Sequence, residues 1–244
     1  MEEDLLLSFD DLEQRHWWFV VRRKIVLDAL ERYASPRDAD ILEVGCGTGG
    51  LLHELESLYP HARVRGVEPV DTAAQAACAK GCTVDVATFE ALPAGDDSVD
   101  VLIALDVLEH CADDRASLRE AWRVMRPGAT LLLTVPALPS MWSAHDEVNA
   151  HYRRYVRETL EAPATEVGFE IERVTYFNSL LLPGGWTARV ASRLGRSSGA
   201  SGLGVPPRPL NRALVSVFSF ESAMLRRTDM PLGTSLMLVA RKPA

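Results

Sequence analysis

A chain of 244 residues is long enough for one α/β domain with additional elements and for a sizeable buried core. Its composition, 47% hydrophobic and 25% charged, is ordinary for a globular protein. A net charge of −8 argues against nucleic-acid backbone binding, which needs a concentrated basic face.

Residues 5–34 read as helical, with apolar positions at helical spacing and Pro36 stopping the run. Asp40 to Val44 is a short apolar strand entering a glycine-rich turn, and Thr48 to Leu58 follows as a helix with Leu51, Leu52, Leu55 and Leu58 on one face. Arg63 to Glu68 is the second strand. Asp71 to Lys80 is an alanine-rich helix capped by Gly81, and Cys82 to Val86 is the third strand. Val99 to Leu105 is a continuous apolar run, as expected of a central parallel strand covered on both faces. Asp113 to Met125 is a helix ended by Pro127-Gly128, and Thr130 to Val135 is the fifth strand. The alternation predicts right-handed βαβ units and a parallel sheet.

The last third changes character. A polar, aromatic loop covers 136–155, a helix runs over about 156–167 to Gly168, and Phe169 to Phe177 reads as a strand. Residues 195–209, rich in Gly, Ser and Pro, predict a mobile loop. A helix over 211–226 and a strand from Thr234 to Ala240 close the chain.

Cys46, Cys78, Cys82 and Cys111 form no CxxC pair and no zinc-finger spacing, so they read as reduced thiols of a cytosolic protein. The acidic start, Met1-Glu2-Glu3-Asp4, lacks the basic character of a secretory signal. No apolar run is long enough to span a bilayer, which leaves the cytoplasm as the default expectation.

Chemistry concentrates first at Glu43-Val44-Gly45-Cys46-Gly47-Thr48-Gly49-Gly50. Glycines let the backbone turn tightly and approach a ligand, and the following helix start offers unpaired N–H groups. Glu68 ends the second strand, where a carboxylate can accept from both hydroxyls of a ribose. Together these make a nucleoside site at the carboxyl edge of the sheet. Gly45, Gly47 and Gly50 also satisfy GxGxxG, so an NAD(P)-dependent oxidoreductase is a rival. Three features weigh against it: the Glu43 carboxylate beside the turn, the helical leader of about forty residues, and the terminal strand–helix–strand unit.

Glu43 to Gly49 resembles the first motif of the class I S-adenosylmethionine (SAM)-dependent methyltransferases, and Val67-Glu68-Pro69 resembles their acidic second motif. Phe89 to Pro93 with Asp97 to Asp100, Asp106-Val107-Leu108-Glu109-His110, and Leu118 to Gly128 resemble the later segments in order, so the likeness covers about 40–136. It places the chain near bacterial small-molecule methyltransferases of types 11 and 23. The resemblance implies an α/β fold with a doubly wound, mostly parallel seven-stranded sheet, a reversed last strand, N-terminal helices and a helical cap. It implies that Glu43, Gly45, Cys46 and Gly47 surround the methionine part of SAM. Glu68 and Pro69 would lie at the ribose, Thr88 and Phe89 at the adenine, and Asp106 below the sulfonium. Cys46 reads as a packing residue, Glu109 and His110 as braces of their loop, and Asp100 as a strand-entry residue.

The leader carries Arg15-His16-Trp17-Trp18-Phe19 and Arg22-Arg23. One reading is a lid, with Trp18 facing the sulfonium and Arg23 pairing with the methionine carboxylate. The other is an amphipathic helix docked on the sheet edge, with a tryptophan as core. In the late loop, Trp142 to Tyr155 resembles an HDxxxxHxRRY stretch in a bacterial branch of these enzymes, some linked to sugar, lipid or natural-product pathways. His145 and His151 are general-base candidates near pH 7, with Asp146 beside them. Trp142, Arg153 and Arg154 are candidates for the acceptor, the arginines for an anionic group. The types of His145, Asp146 and His151 suit a metal, but a loop closed by hydrogen bonds is preferred and no metal is expected.

The expected organisation is an N-terminal helical lid over 1–38 and a SAM-binding domain over 39–244, with a substrate loop at 136–155 and a helical cap or mobile insertion at 179–226. The expected reaction is methyl transfer to an O, N or acidic C nucleophile of a small polar metabolite or a natural-product or sugar intermediate. The expected partners are that acceptor and, as an option, a second copy in a homodimer; nucleic acid and stable membrane insertion are not expected. A non-catalytic SAM-binding protein at a membrane surface is a second rival, because Leu180 to Arg196 is apolar and then basic.

Overall fold

Strand β4 (Val99–Leu105) occupies the middle of the sheet because it is apolar on both faces: Val99, Val101, Leu102, Ile103, Ala104 and Leu105 are all buried. The computed structural model describes residues 12–184 and 204–244. The other strands are β1 (Asp40–Val44), β2 (Arg63–Glu68), β3 (Val84–Val86), β5 (Met125–Pro136), β6 (Glu170–Phe177) and β7 (Ser235–Arg241). Their order is β3-β2-β1-β4-β5-β7-β6. The first five are parallel, and β7 runs antiparallel to both β5 and β6. The sheet is therefore seven-stranded and mostly parallel with one reversed strand. The chain order reverses between β1 and β4, and open α/β sheets bind their ligands outside the carboxyl ends of strands at such a point.

The helices are α1 (Trp17–Tyr33), α2 (Gly50–Leu58), α3 (Asp71–Ala79), α4 (Asp114–Val124), the short α5 (Ala144–Val148), α6 (Arg157–Val167) and α7 (Arg208–Leu225). The leader is less continuous than its periodicity predicts. Residues 12–15 form one helical turn, the chain bends at His16, and the His16 imidazole Nδ1 accepts from Trp18 N at 3.3 Å to start α1. Val21, Ile25, Val26, Ala29 and Leu30 form the buried stripe of α1. On its other side α1 meets α7: Trp17 N donates to Asn211 Oδ1 at 3.0 Å, and Arg226 pairs with Asp28 at 2.8 Å.

Several boundaries differ from expectation. β5 begins at Met125, so Pro127-Gly128 falls inside the strand beside a register irregularity at Val99/Val101. Arg126 holds this lead-in, pairing with Asp100 at 2.6 Å and Asp40 at 3.0 Å. Asp100 also accepts from Asp40 N at 2.8 Å, which ties the entries of three strands. α7 begins at Arg208, inside the predicted loop, because Pro209 in its first turn needs no hydrogen-bond acceptor there. The expected loop at 195–209 otherwise falls at 195–203 outside the described residues, as do 185–196 of the apolar-then-basic segment and 1–11 of the leader. Gly168 closes α6 in the left-handed region (φ 119°), and a Cβ there would meet the Trp122 ring at 2.9 Å. Among the described residues no helix is long and apolar enough to cross a membrane.

Candidate active site

The glycine turn is built against the end of β2. Gly45 N and Cys46 N both donate to Val67 O, at 2.7 and 3.2 Å. Gly45 has φ 71°, and a Cβ on it would collide with the Val107 side chain, so only glycine fits. Glu68 then reaches back across the turn, accepting from Gly47 N at 2.9 Å through Oε2 and from Val70 N at 3.0 Å through Oε1. A carboxylate has about four acceptor positions, so each oxygen retains one for a further donor. Pro69 and Thr88 are exposed and Phe89 is buried, in the loops after β2 and β3, so these candidates share the carboxyl edge with Glu68.

Beside the turn lies a cavity of about 30 Å³ whose walls include Glu13, Phe19, Arg22, Arg23, Glu43 and Gly45. Drug-sized ligands occupy pockets of roughly 300–1,000 Å³. This one is far smaller, and the leader's Glu13, Phe19, Arg22 and Arg23 form much of its wall. Arg22 pairs with Asp106, which also accepts from Thr134 Oγ1 at 3.3 Å. Arg23 pairs with Glu54 at 2.8 Å, and Glu13 accepts from Thr48 Oγ1 at 3.2 Å. Two buried atoms here have no partner among the described residues, the donor Arg22 Nε and the acceptor Glu43 Oε2. Burial, reinforced by the charge of Glu13, pushes the Glu43 carboxyl well above the usual carboxylate range, against the pull of Arg22 and Arg23. Burial also raises the Cys46 thiol far above its ordinary value, helped by Glu43 and Glu68, which leaves it a packing residue. Trp18 is elsewhere: it stacks on Phe177 and Phe218, each at 5.7 Å between centroids, and its neighbour Phe19 is the aromatic that lines the cavity.

The late loop folds back onto the segment after β4. Asp146, fully buried in α5, accepts from Ser143 N at 2.9 Å and Oγ at 3.1 Å, and from Arg154 Nε at 2.7 Å. Its Oδ1 also lies 3.1 Å from His151 Nδ1. Burial opposes the charge on Asp146, but the bonds from His151 and Arg154 outweigh it and hold the carboxyl well below the usual range. Arg154 is buried and also donates to Ala137 O at 2.9 Å, so its guanidinium is an internal strut rather than a free anion receptor. Arg153 is likewise engaged, with Asp114 at 3.0 Å and with the carbonyls of Cys111 and Ala112. Trp142 is half-buried at the end of a short turn. His145 is exposed, its ring 6.3 Å from that of His151.

The structure thus separates the three late-loop candidates: Asp146 is internal, His145 lies outside, and His151 faces Glu109 and His110. Tyr152 N donates to Glu109 O at 2.8 Å, which locks the two segments together, and the His110 and His151 rings meet edge to face at 4.7 Å. Burial pushes the His110 imidazole below its ordinary range, with the neighbouring His151 acting in the same direction.

Known proteins similar to this chain identify its family. Residues 42–133 match the methyltransferase-domain family of type 11. A ubiquinone biosynthesis O-methyltransferase of Rhizobium etli is 32% identical over 170 residues, covering 60% of this chain and 68% of that protein. The chain belongs to the class I SAM-dependent methyltransferases. A malonyl-[acyl-carrier protein] O-methyltransferase of Hahella chejuensis is 36% identical over 110 residues, 43% of this methyltransferase and 39% of that protein. This methyltransferase therefore spans well under two thirds of the length of some relatives that it matches. A Haemonchus contortus phosphoethanolamine N-methyltransferase 2 bound to SAM shares the fold, with a TM-score of 0.62 at 18% identity over 89% of this chain and 52% of that one.

The cofactor of the methyltransferase is SAM, so the dinucleotide reading of the same glycines is set aside. The residues present fit SAM. An amino-acid group carries a carboxylate for Arg22 Nε and an ammonium for Glu43 Oε2, the two orphaned atoms at the cavity. Sequence reasoning missed Glu13 and, within the aromatic and arginine run of the leader, favoured Trp18 and Arg23 over Phe19 and Arg22, because helical periodicity does not say which turn of a leader meets the glycine loop. It placed Glu109 and His110 as braces, and the Tyr152 N to Glu109 O bond fits that role; their position directly after the central strand at the switch point also brings them beside His151.

Proposed function

We propose that this methyltransferase moves the SAM methyl group to a hydroxyl oxygen of a small polar acceptor, with His151 as the base. Bound SAM supplies an activated methyl on a sulfonium, so the protein's work is alignment and proton handling. In this reading Gly45, Gly47, Arg22 and Glu43 hold the methionine part, Glu68 the ribose, and Pro69, Thr88 and Phe89 flank the adenine. The observation that carries the acceptor side is the His151–Asp146 pair. A buried, ionised carboxylate on Nδ1 keeps the proton there and leaves Nε2 free to accept one from an acceptor. A neutral amine would need no base; a hydroxyl does. The O-methyl activity named for the Rhizobium relative supports the same choice.

The test is a methyl-transfer screen with labelled SAM against hydroxyl, amine and carboxylic acceptors, followed by His151→Ala on the best one. The expected loss in kcat is on the order of 10²- to 10⁴-fold with SAM affinity unchanged. An undiminished kcat would remove the base assignment.

The leader acts in this reading as a lid over residues 39–244, with α7 as the other part of the cap. Because Glu13, Phe19 and Arg22 wall a cavity of only about 30 Å³, SAM entry must move them, and Trp17 and Trp18 sit on the same helix as Phe19 and Arg22. Adding SAM should therefore change the intrinsic fluorescence, and Trp18→Phe should remove much of that change. A signal insensitive to SAM would mark α1 as a fixed, docked helix.

A further inference from the structure

We propose that Glu109, His110 and His151 form a binding site for a divalent transition-metal ion, with zinc as the first candidate. One ligand atom from each lies within 4.8 Å of the others. Bonds of about 2.1 Å at a tetrahedral angle would place such atoms roughly 3.4 Å apart, so side-chain adjustments of about an ångström close the set.

Compactness alone would not make a site; three further observations point to a cation. First, Glu109 is fully buried, and neither carboxylate oxygen has a hydrogen-bond partner among the described residues. Burying an unpaired carboxylate costs several kcal/mol, and a coordinated cation removes that cost. Second, His151 is oriented as a ligand. The buried Asp146, itself held by Arg154 and Ser143, takes its Nδ1 side and turns Nε2 away, the carboxylate–histidine arrangement that commonly supports metal-bound imidazoles. Third, the Tyr152 N to Glu109 O bond fixes the two ligand-bearing segments against each other. His110 is exposed, which gives the ion a route from solvent. Two imidazoles and one carboxylate suit zinc and its neighbours in the first transition row over magnesium or calcium, which favour all-oxygen shells.

What the ion would do there rests on the proposed function. It would take the acceptor's hydroxyl oxygen in place of a bound water and favour its ionised form, the proton leaving to solvent. His151 would then serve the acceptor through the ion instead of accepting the proton itself.

The experiment measures binding without acceptor or turnover. The full chain is stripped with a chelator, dialysed, and titrated calorimetrically with Zn²⁺, and with Mg²⁺ for comparison. One equivalent of Zn²⁺ should bind with micromolar or tighter affinity and Mg²⁺ far more weakly. His110→Ala, at an exposed position, should weaken Zn²⁺ at least tenfold while SAM affinity stays within twofold of the parent. Glu109→Gln should weaken it similarly, with its melting temperature as the check on folding. No stoichiometric binding, or binding that neither variant weakens, overturns the site. A metal-free chain that still methylates a hydroxyl through His151 would overturn the ion's role in the reaction and leave the proposed function standing. A chain that binds zinc but methylates no hydroxyl would overturn the proposed function and leave the site standing.

Discussion

Replacing Glu68 by Ala is expected to raise the Kd for SAM by on the order of 100-fold, measured by calorimetric titration. The carboxylate has two roles at once. It accepts from Gly47 N and Val70 N, which shapes the glycine turn, and its remaining acceptor positions face the carboxyl edge of β2. Hydrogen bonds to a charged group contribute about 1.5–3 kcal/mol each, and a loss of about 3 kcal/mol corresponds to roughly a 100-fold change in affinity. Glu68→Gln keeps the volume and one good acceptor, so it should fall between the parent and Ala. Affinities within twofold across all three proteins would mean that SAM does not rest on this residue, and the register of the cofactor assignment would fail with it.

The fold around Glu68 was legible because its signals are local. The turn Gly45 to Gly49 must be glycine-rich wherever backbone approaches a ligand, and the apolar run of β4 must be covered on both faces wherever it lies. Each strand and helix from β1 to α4 could therefore be read within a few residues. The boundaries that failed depend on partners distant in sequence. Arg126 extends β5 toward its start through Asp40 and Asp100, and no local pattern around Pro127-Gly128 announces such a clamp.

The acceptor side was half legible for the same reason. The loop could be recognised as polar and histidine-rich, but the division of labour inside it is a matter of burial. Arg153 and Arg154 look equivalent in sequence, adjacent and alike. In the fold Arg154 turns inward to Asp146 and Arg153 lies against the start of α4. His145 and His151 differ in the same way, because only His151 returns to the segment after β4. The leader shows the opposite case: two tryptophans drew attention, but Trp18 completes an aromatic stack with Phe177 and Phe218, and the smaller Phe19 and the neighbouring Arg22 meet the cavity.

Asp146→Ala should destabilise the fold by about 3–5 kcal/mol, the range found when one partner of a buried ion pair is removed. Asp146 and Arg154 are both buried, so the substitution leaves a guanidinium without its countercharge, and it also strips the acceptor from Ser143 N and His151 Nδ1. For a chain of this size each kcal/mol shifts the melting temperature by roughly 2–4 °C, so a drop of about 10 °C is expected. The sign of the pH dependence follows from the depressed folded pKa of Asp146. Its unfolded value is about 3.9, so its contribution is complete above roughly pH 4 and is lost as pH falls from there through the folded value. The gap between parent and variant should accordingly be flat from roughly pH 5 to 8 and narrow in more acidic solution. Thermal unfolding across that range decides it: a gap under about 2 °C at neutral pH, or one that widens on acidification, would show that the Arg154–Asp146–His151 chain does not hold the loop.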